Sequence, residues 1–194
     1  DLVRSRGLGD VYKRQDHHNG NAYKPSSLEQ LAELLEIPLS RQEQLIAAND
    51  KAYIPGMKVL QASDAEITRI RLADRACQGV TEEEEKLAEL AIREHIQIYD
   101  GLIVVRVLCH RFSPICDRLF PYERLLIYTD EEWMYYGKQA DRLVESFQSD
   151  IQSGKIFYGG GPDGYIGCKR KVYTSSEILQ HIELIKDLIN HGNI

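Results

Sequence analysis

Leu102 to Leu108, LIVVRVL, is the stretch on which the fold of this chain turns. It is short, continuous and rich in β-branched residues, which predicts a buried strand, although periodicity alone leaves a continuing helix open. Arg106 interrupts the apolar run. A second stretch of the same character, Arg124 to Thr129 (RLLIYT), follows an irregular segment bracketed by Pro114 and Pro121. Lys155 to Tyr158 and Tyr165 to Tyr173 flank GGGPDG and read as a β-hairpin with a wide, glycine-rich turn.

Helix signals surround these strands. Asp130 is placed to cap a long amphipathic helix reaching about Ser149, with Trp133, Gly137, Ala140, Val144 and Phe147 on its stripe. Thr174 and Glu177 form a capping box, and Ile178, Ile182, Ile185 and Ile189 line one face of the helix it opens. Ser63 with Glu66, and Thr81 with Glu84, open two more helices, with Gly79 ending the first. Nearer the N-terminus, Ser27 is expected to cap a helix carrying Leu28, Leu31 and Leu35, which Pro38 stops. Ser40 caps a second, short helix with Leu45, Ile46 and Ala48. Ile54-Pro55-Gly56 then reads as a turn and Val59-Leu60 as a short strand.

The class these elements predict is α+β: a helical N-terminal half, then a small, mainly antiparallel sheet with a long helix and a C-terminal amphipathic helix. The expected divisions are a non-native tail at 1–15, a small helical module at 16–61 and an α+β domain at 62–194.

Asp1 to Gln15 (DLVRSRGLGDVYKRQ) resembles a translated sequencing-adapter segment, of the kind found at the ends of proteins predicted from metagenomic reads. The resemblance implies that the natural reading frame was entered before Asp16. It also implies that Leu2, Val3, Leu8 and Val11 make no core contacts. The chain carries 24 basic and 30 acidic residues, a net of -6. The tail holds four of the bases (Arg4, Arg6, Lys13, Arg14) and two of the acids (Asp1, Asp10), so the remainder is 20 against 28, a net of -8. That acidity disfavours bulk nucleic-acid binding. The one basic run, Lys169-Arg170-Lys171, falls inside an expected strand, where it reads as a solvated edge.

A hydrophobic share of 43% against 28% charged is ordinary for a globular domain. No apolar run approaches the ~20 residues of a membrane span, and no signal peptide is visible. Cys77, Cys109, Cys116 and Cys168 contain no C-x-x-C pair. They read as free thiols of a reducing compartment, the cytoplasm of a bacterium or of a virus-infected cell. Neither a metal nor another cofactor is expected.

Tyr23, Leu28, Leu31-Ala32, Leu35, Ile37, Leu45, Asn49, Ile54-Pro55-Gly56 and Val59-Leu60 follow one another in the order strand, helix, turn, helix, Pro-Gly, strand. In this order residues 23–61 resemble a LysM module, a small βααβ unit that binds N-acetylglucosamine-containing glycans. The turn between the helices is longer than the family's, and the glycine and aspartate expected near Ser26-Ser27 are absent. The resemblance implies sugar contacts from Ser26, Ser27, Asn49, Asp50, Tyr53 and Ile54. The same segment also reads as a helix-turn-helix, with Arg41, Gln42 and Gln44 facing base edges, or as two helices that simply pack.

GGGPDG lacks the following helix and the G-K-[ST] of a phosphate cradle. Tyr158, Gly159, Gly160, Gly161, Asp163, Gly164 and Tyr165 read instead as a hairpin turn able to close over a ligand as a flap. Catalytic residues stay unassigned: Cys109 and His110 are adjacent in sequence and would point to opposite faces of a strand. His95 reads as a half-buried core residue.

The expected function is therefore that of a binding or assembly protein with a LysM-like module, of phage or bacterial origin, meeting peptidoglycan or a protein partner. One alternative is a helix-turn-helix regulator whose C-terminal domain senses a ligand or dimerises. The other is a small enzyme with a site under the glycine-rich hairpin, built from Tyr158, Asp163 and Tyr165 with His110 or Arg111.

Overall fold

The computed structural model describes residues 24–161 and 163–190. The tail at 1–15 and Tyr23, the first residue of the LysM-like pattern, lie outside them. The fold is α+β, with eight helices and one six-stranded, mostly antiparallel sheet among the described residues. The chain forms two compact units, one ending at Cys77 and the other beginning at Gln78.

The first unit is helical throughout its described part. Helix α1, Ser27–Leu34, is capped by Ser26 rather than Ser27: Ser26 Oγ accepts from the Glu29 amide, and Glu29 accepts from the Ser26 amide at 2.6 Å. The glutamate decides this, because a capping box needs the acid three residues after the cap. Helix α2 runs over Arg41–Val59 from its Ser40 cap, with a break at Ala52 (φ -149°) and Tyr53 (φ 55°). The expected turn at Ile54-Pro55-Gly56 is helix, and in place of the expected strand at Val59-Leu60, Val59 ends that helix and Leu60 is its C-cap. Pro55 sits in the first turn after the break, where its missing N–H costs nothing. Gly56 is there for proximity: a Cβ would lie 2.4 Å from the Ala48 carbonyl oxygen. The closing strand of a βααβ unit is thus not formed. Helix α3, Asp64–Cys77, starts at its Ser63–Glu66 box. The contacts group it with the helices before it, whereas the sequence reading divides the chain at 61/62. Leu45, Ala47, Ile54, Met57, Ile67 and Ile70 form the buried apolar set of this unit.

The second unit opens with α4, Glu82–His95, from its Thr81 box. Strands β1 (Ile96–Tyr99) and β2 (Leu102–Arg106) follow, joined by Asp100 and Gly101, both at positive φ as a two-residue hairpin requires. Then come α5 (Ser113–Leu119), β3 (Arg124–Tyr128), β4 (Trp133–Gly137), α6 (Ala140–Ser146), α7 (Gln148–Gln152), β5 (Ile156–Gly159), β6 (Tyr165–Cys168) and α8 (Ser175–Asn190). The sheet order is β1-β2-β3-β4-β6-β5, and only the β2–β3 pair is parallel.

Two expectations fail here. The long helix from Asp130 to Ser149 is a strand followed by two short helices. Trp133 to Gly137 is aromatic-rich and alternates, with Trp133 and Tyr135 buried on one face and Met134 and Tyr136 on the other. Asp130 caps nothing; it lies in a turn held by Thr129 Oγ1, which accepts from the Glu131 and Glu132 amides. Strand β6 also stops at Cys168, so Lys169-Arg170-Lys171 belongs to a loop and not to a strand edge.

Each face of the sheet carries a core. Leu102, Val104, Leu126, Trp133, Tyr135 and Ile166 pack with Leu143 of α6 and with all four predicted isoleucines of α8. Val105, Leu125 and Ile127 pack with Ala88 and Ala91 of α4 and Ile115 of α5 on the other side.

A candidate ligand cleft at one end of the sheet

Parallel strands deliver their following loops to the same end of a sheet, and that end is the usual place for a cleft in an open sheet. Here β2 and β3 bring together the 107–112 loop and the β3–β4 turn, and antiparallel β6 returns its own C-terminal loop beside them. His110 comes from the first loop, Asp130, Glu131 and Glu132 from the second, and Arg170 and Lys171 from the third.

These side chains form a chain of charge contacts. His110 Nδ1 lies 2.6 Å from Glu132 Oε1, and His110 Nε2 lies 3.5 Å from Glu131 Oε2. Arg170 Nε donates to Glu131 at 2.6 Å and holds its carboxyl below the usual carboxylate range. Lys171 Nζ is 3.8 Å from the same group, and Arg106 pairs with Asp130 at 3.0 Å.

His110 separates two hollows. One, of about 280 Å³, has apolar walls from Val80, Phe112, Met134 and Phe157. Its polar lining is Gln78, His110, Arg111, Ser113, Glu132 and Tyr136. The other, of about 220 Å³, lies between Arg106, Val107, Leu108, Thr129, Asp130 and Glu131 on the far side of His110. Glu132 spends its charge on His110, whereas Arg111 has no carboxylate partner among the described residues. The larger hollow therefore offers a ligand an apolar wall and one uncommitted cation. The Met134 thioether lies directly over Gly167; a Cβ there would be 1.9 Å from its sulfur.

Beneath the larger hollow, burial pushes the Cys116 thiol up to about 12. Burial likewise raises Cys109, and raises Cys168 to about 12. All three stay thiols at neutral pH, which removes them as nucleophiles. Among the described residues, no group of three or more His, Cys, Asp or Glu side chains converges as metal ligands do.

The residues singled out from sequence fall elsewhere. Gly159 to Gly164 turn at the opposite end of the sheet, where the Gly137 amide donates to the Gly164 carbonyl. Tyr158 and Tyr165 are exposed there with Asp163, so they cannot share a site with His110 or Arg111. The glycines have structural work: a Cβ on Gly164 would fall 1.9 Å from the Gly159 carbonyl oxygen, and one on Gly159 would strike the Tyr165 ring. Of this hairpin only Phe157 reaches the cleft.

In the first unit, Ser26 is buried as a helix cap and Ile54 is buried in the core, while Ser27 and Asp50 are exposed. Asn49 accepts from buried Arg71 at 3.0 Å, and the same guanidinium lies 4.6 Å from the Tyr53 ring centre. Of the base-reading candidates, Arg41 is engaged by Glu66 and the Leu60 carbonyl, and Gln44 by the Leu39 carbonyl.

Glu132, Met134 and Phe157 carry no sequence signal for a site. The alternation of Trp133 to Gly137 was the one clue that could have placed Met134 and Tyr136 on a common sheet face. No family model matches the sequence, and no curated protein matches it.

Proposed function

We propose that this is a binding protein and that the His110–Phe157 cleft of its second unit takes a small ligand with an anionic group on an apolar body. The observation that carries this reading is the pairing of an apolar wall (Val80, Phe112, Met134, Phe157) with the uncommitted guanidinium of Arg111. A cleft of about 280 Å³ lies just under the ~300 Å³ lower end of small-molecule sites, so its ligand is small. The raised thiol pKa values of Cys109, Cys116 and Cys168 favour binding over catalysis by these three, and four free thiols suit a reducing compartment. Among the described residues, no helix is long and apolar enough to cross a membrane.

Anilinonaphthalene sulfonate, an aromatic body with one anion, is a suitable probe. It should bind saturably at one site and be displaced by aryl carboxylates. Arg111→Ala should weaken it about tenfold, the worth of a hydrogen bond to a charged group. Unsaturable binding, or an Arg111→Ala variant that binds as well as the parent, rejects the proposal.

A second reading keeps glycan binding in the first unit. The single non-helical break of α2, at Ala52 and Tyr53, coincides with the Asn49–Ile54 loop to which the LysM resemblance assigns sugar contacts. Retention on purified peptidoglycan, lost in Tyr53→Ala, is its test; passage without retention eliminates it.

A further inference from the structure

We infer that two copies of this chain pair edge to edge through β5, antiparallel about a two-fold axis at Phe157; the pairing does not rest on the ligand reading of the cleft. Strand β5 ends the sheet, with β6 on one side and no strand on the other among the described residues. The Lys169 amide donates to the Lys155 carbonyl at 2.8 Å, so 155 and 169 form a hydrogen-bonded pair. Bonded and non-bonded pairs alternate along an antiparallel ladder. Phe157 and Gly159 therefore direct their main-chain groups to β6, and Ile156 and Tyr158 direct theirs outward. The β4 side agrees: the Gly137 amide donates to the Gly164 carbonyl, and the same alternation turns Ile166 toward β4 and away from Tyr158. Among the described residues nothing is bonded to the outward groups of Ile156 and Tyr158.

Such an edge is a template for another strand unless a charge, a proline or a bulge protects it. Ile156–Gly159 (IFYG) contains no charge and no proline, and Phe157 and Tyr158 are 39% and 54% exposed. The strand that fits it best is its own copy. In the antiparallel register centred on Phe157, Ile156 of each copy exchanges both main-chain bonds with the partner's Tyr158. Phe157 then stands opposite the partner's Phe157 in a non-bonded pair, where side chains approach most closely and aromatic pairs are favoured. Charge points the same way. Between residues 151 and 168 the chain carries two charged residues, Lys155 just before the strand and Asp163 in the turn just after it. Antiparallel pairing brings the lysine end of each strand to the aspartate end of the other. A contact that repeats itself about a two-fold axis closes on a dimer. Because Phe157 is a wall of the cleft, the partner's Phe157 adjoins the cleft of each copy.

The test is sedimentation velocity of the full chain from about 10 μM to about 1 mM, because a short strand makes a small interface and a weak dimer. A monomer–dimer equilibrium is expected. Tyr158→Pro removes an outward N–H that the fold itself does not use. It should weaken the dimer at least about tenfold, with the emission of Trp133 unchanged. Lys155→Glu should weaken it about threefold, and adding Asp163→Lys should restore it. Loss of fold cannot imitate that restoration. Ile98→Lys, on the opposite edge strand β1, should change nothing. The inference is overturned if the chain stays monomeric up to about 1 mM, which leaves the edge to a strand of another polypeptide. It is overturned equally by a dimer that survives Tyr158→Pro, by one that Ile98→Lys dissolves, or by a Lys155→Glu loss that Asp163→Lys does not restore.

Discussion

The first unit builds its leading helix with no buried side chain, while the second buries side chains on both faces of a sheet. The difference lies in what holds the elements. Helices α1, α2 and α3 each begin at a capping box, an interaction spanning three residues, and their shared core is small. That core also includes Arg71 and Arg75, two buried cations. The second unit rests on pairings between residues far apart in sequence and on two apolar clusters. The first therefore leaves large apolar side chains exposed on its leading helix, and the second has a formed cleft.

Four tests bear on that difference. Trp133, fully buried among Phe147, His181 and the sheet, is the largest side chain of the second core. Trp133→Ala should destabilise the second unit by about 3–5 kcal/mol in urea unfolding followed by circular dichroism. A loss below about 1 kcal/mol would mean that the sheet does not depend on this core.

Arg71→Met should cost the first unit about 1–3 kcal/mol, since Asn49 and Asp74 lose their buried partner. The Trp133 fluorescence transition reports the second unit alone, because the chain has one tryptophan. It should stay where it is; a shift of equal size there would refute the separation of the two units.

The third test is one of pH. Trp133 Nε1 donates to His181 Nδ1 at 3.1 Å, which requires a neutral ring with its proton on Nε2. Burial, the main cause, lowers the His181 pKa, with Lys155 acting the same way and Asp150 and Glu177 opposing. The stability from this histidine is therefore complete above about 6.5, the ordinary imidazole value, and is lost as pH falls from there through the lowered folded value. Urea midpoints read from Trp133 should decline over that window in the parent and decline less in His181→Gln. Equal slopes would remove His181 from the acid response.

The smallest effect concerns the caps. Ser26→Ala should cost about 1 kcal/mol and more than Ser27→Ala, measured by thermal unfolding of the first unit. The reverse order would restore the cap position expected from sequence.

Local signals are legible where their partners lie within one helical turn, the Ser26–Glu29 box excepted. Ser40–Glu43, Ser63–Glu66, Thr81–Glu84 and Thr174–Glu177 all form as boxes, and Ile178, Ile182, Ile185 and Ile189 all face the core. Leu102 to Arg106 and Arg124 to Tyr128 are strands as their composition indicates. Trp133, Gly137, Ala140 and Val144 also fit a helical stripe, so spacing alone predicts a helix over Trp133 to Gly137. What makes this segment a strand is its pairing with β3 and β6, supplied from elsewhere in the chain. The spacing of Leu87, Leu90, Ala91 and Ile98 likewise predicts one helical face, whereas Ile98 lies in β1.

The candidate cleft was the least legible part. His110 and Arg111 were noticed, but beside a hairpin that the fold places at the other end of the sheet. Glu132 stands 22 residues from His110, and Phe157 arrives on an edge strand further still.

What the sequence determined by itself is the α+β class, the helix starts at Ser40, Ser63, Thr81 and Thr174 and the apolar face of the C-terminal helix, because capping and amphipathic spacing act over a few residues. Only the tertiary structure decided that LIVVRVL lies beside RLLIYT in parallel. That pairing sets His110 against Glu131 and Glu132 and moves the glycine-rich turn away from them. A strand's neighbours are chosen by backbone hydrogen bonds and two-sided burial across the whole unit, and no local pattern carries that choice.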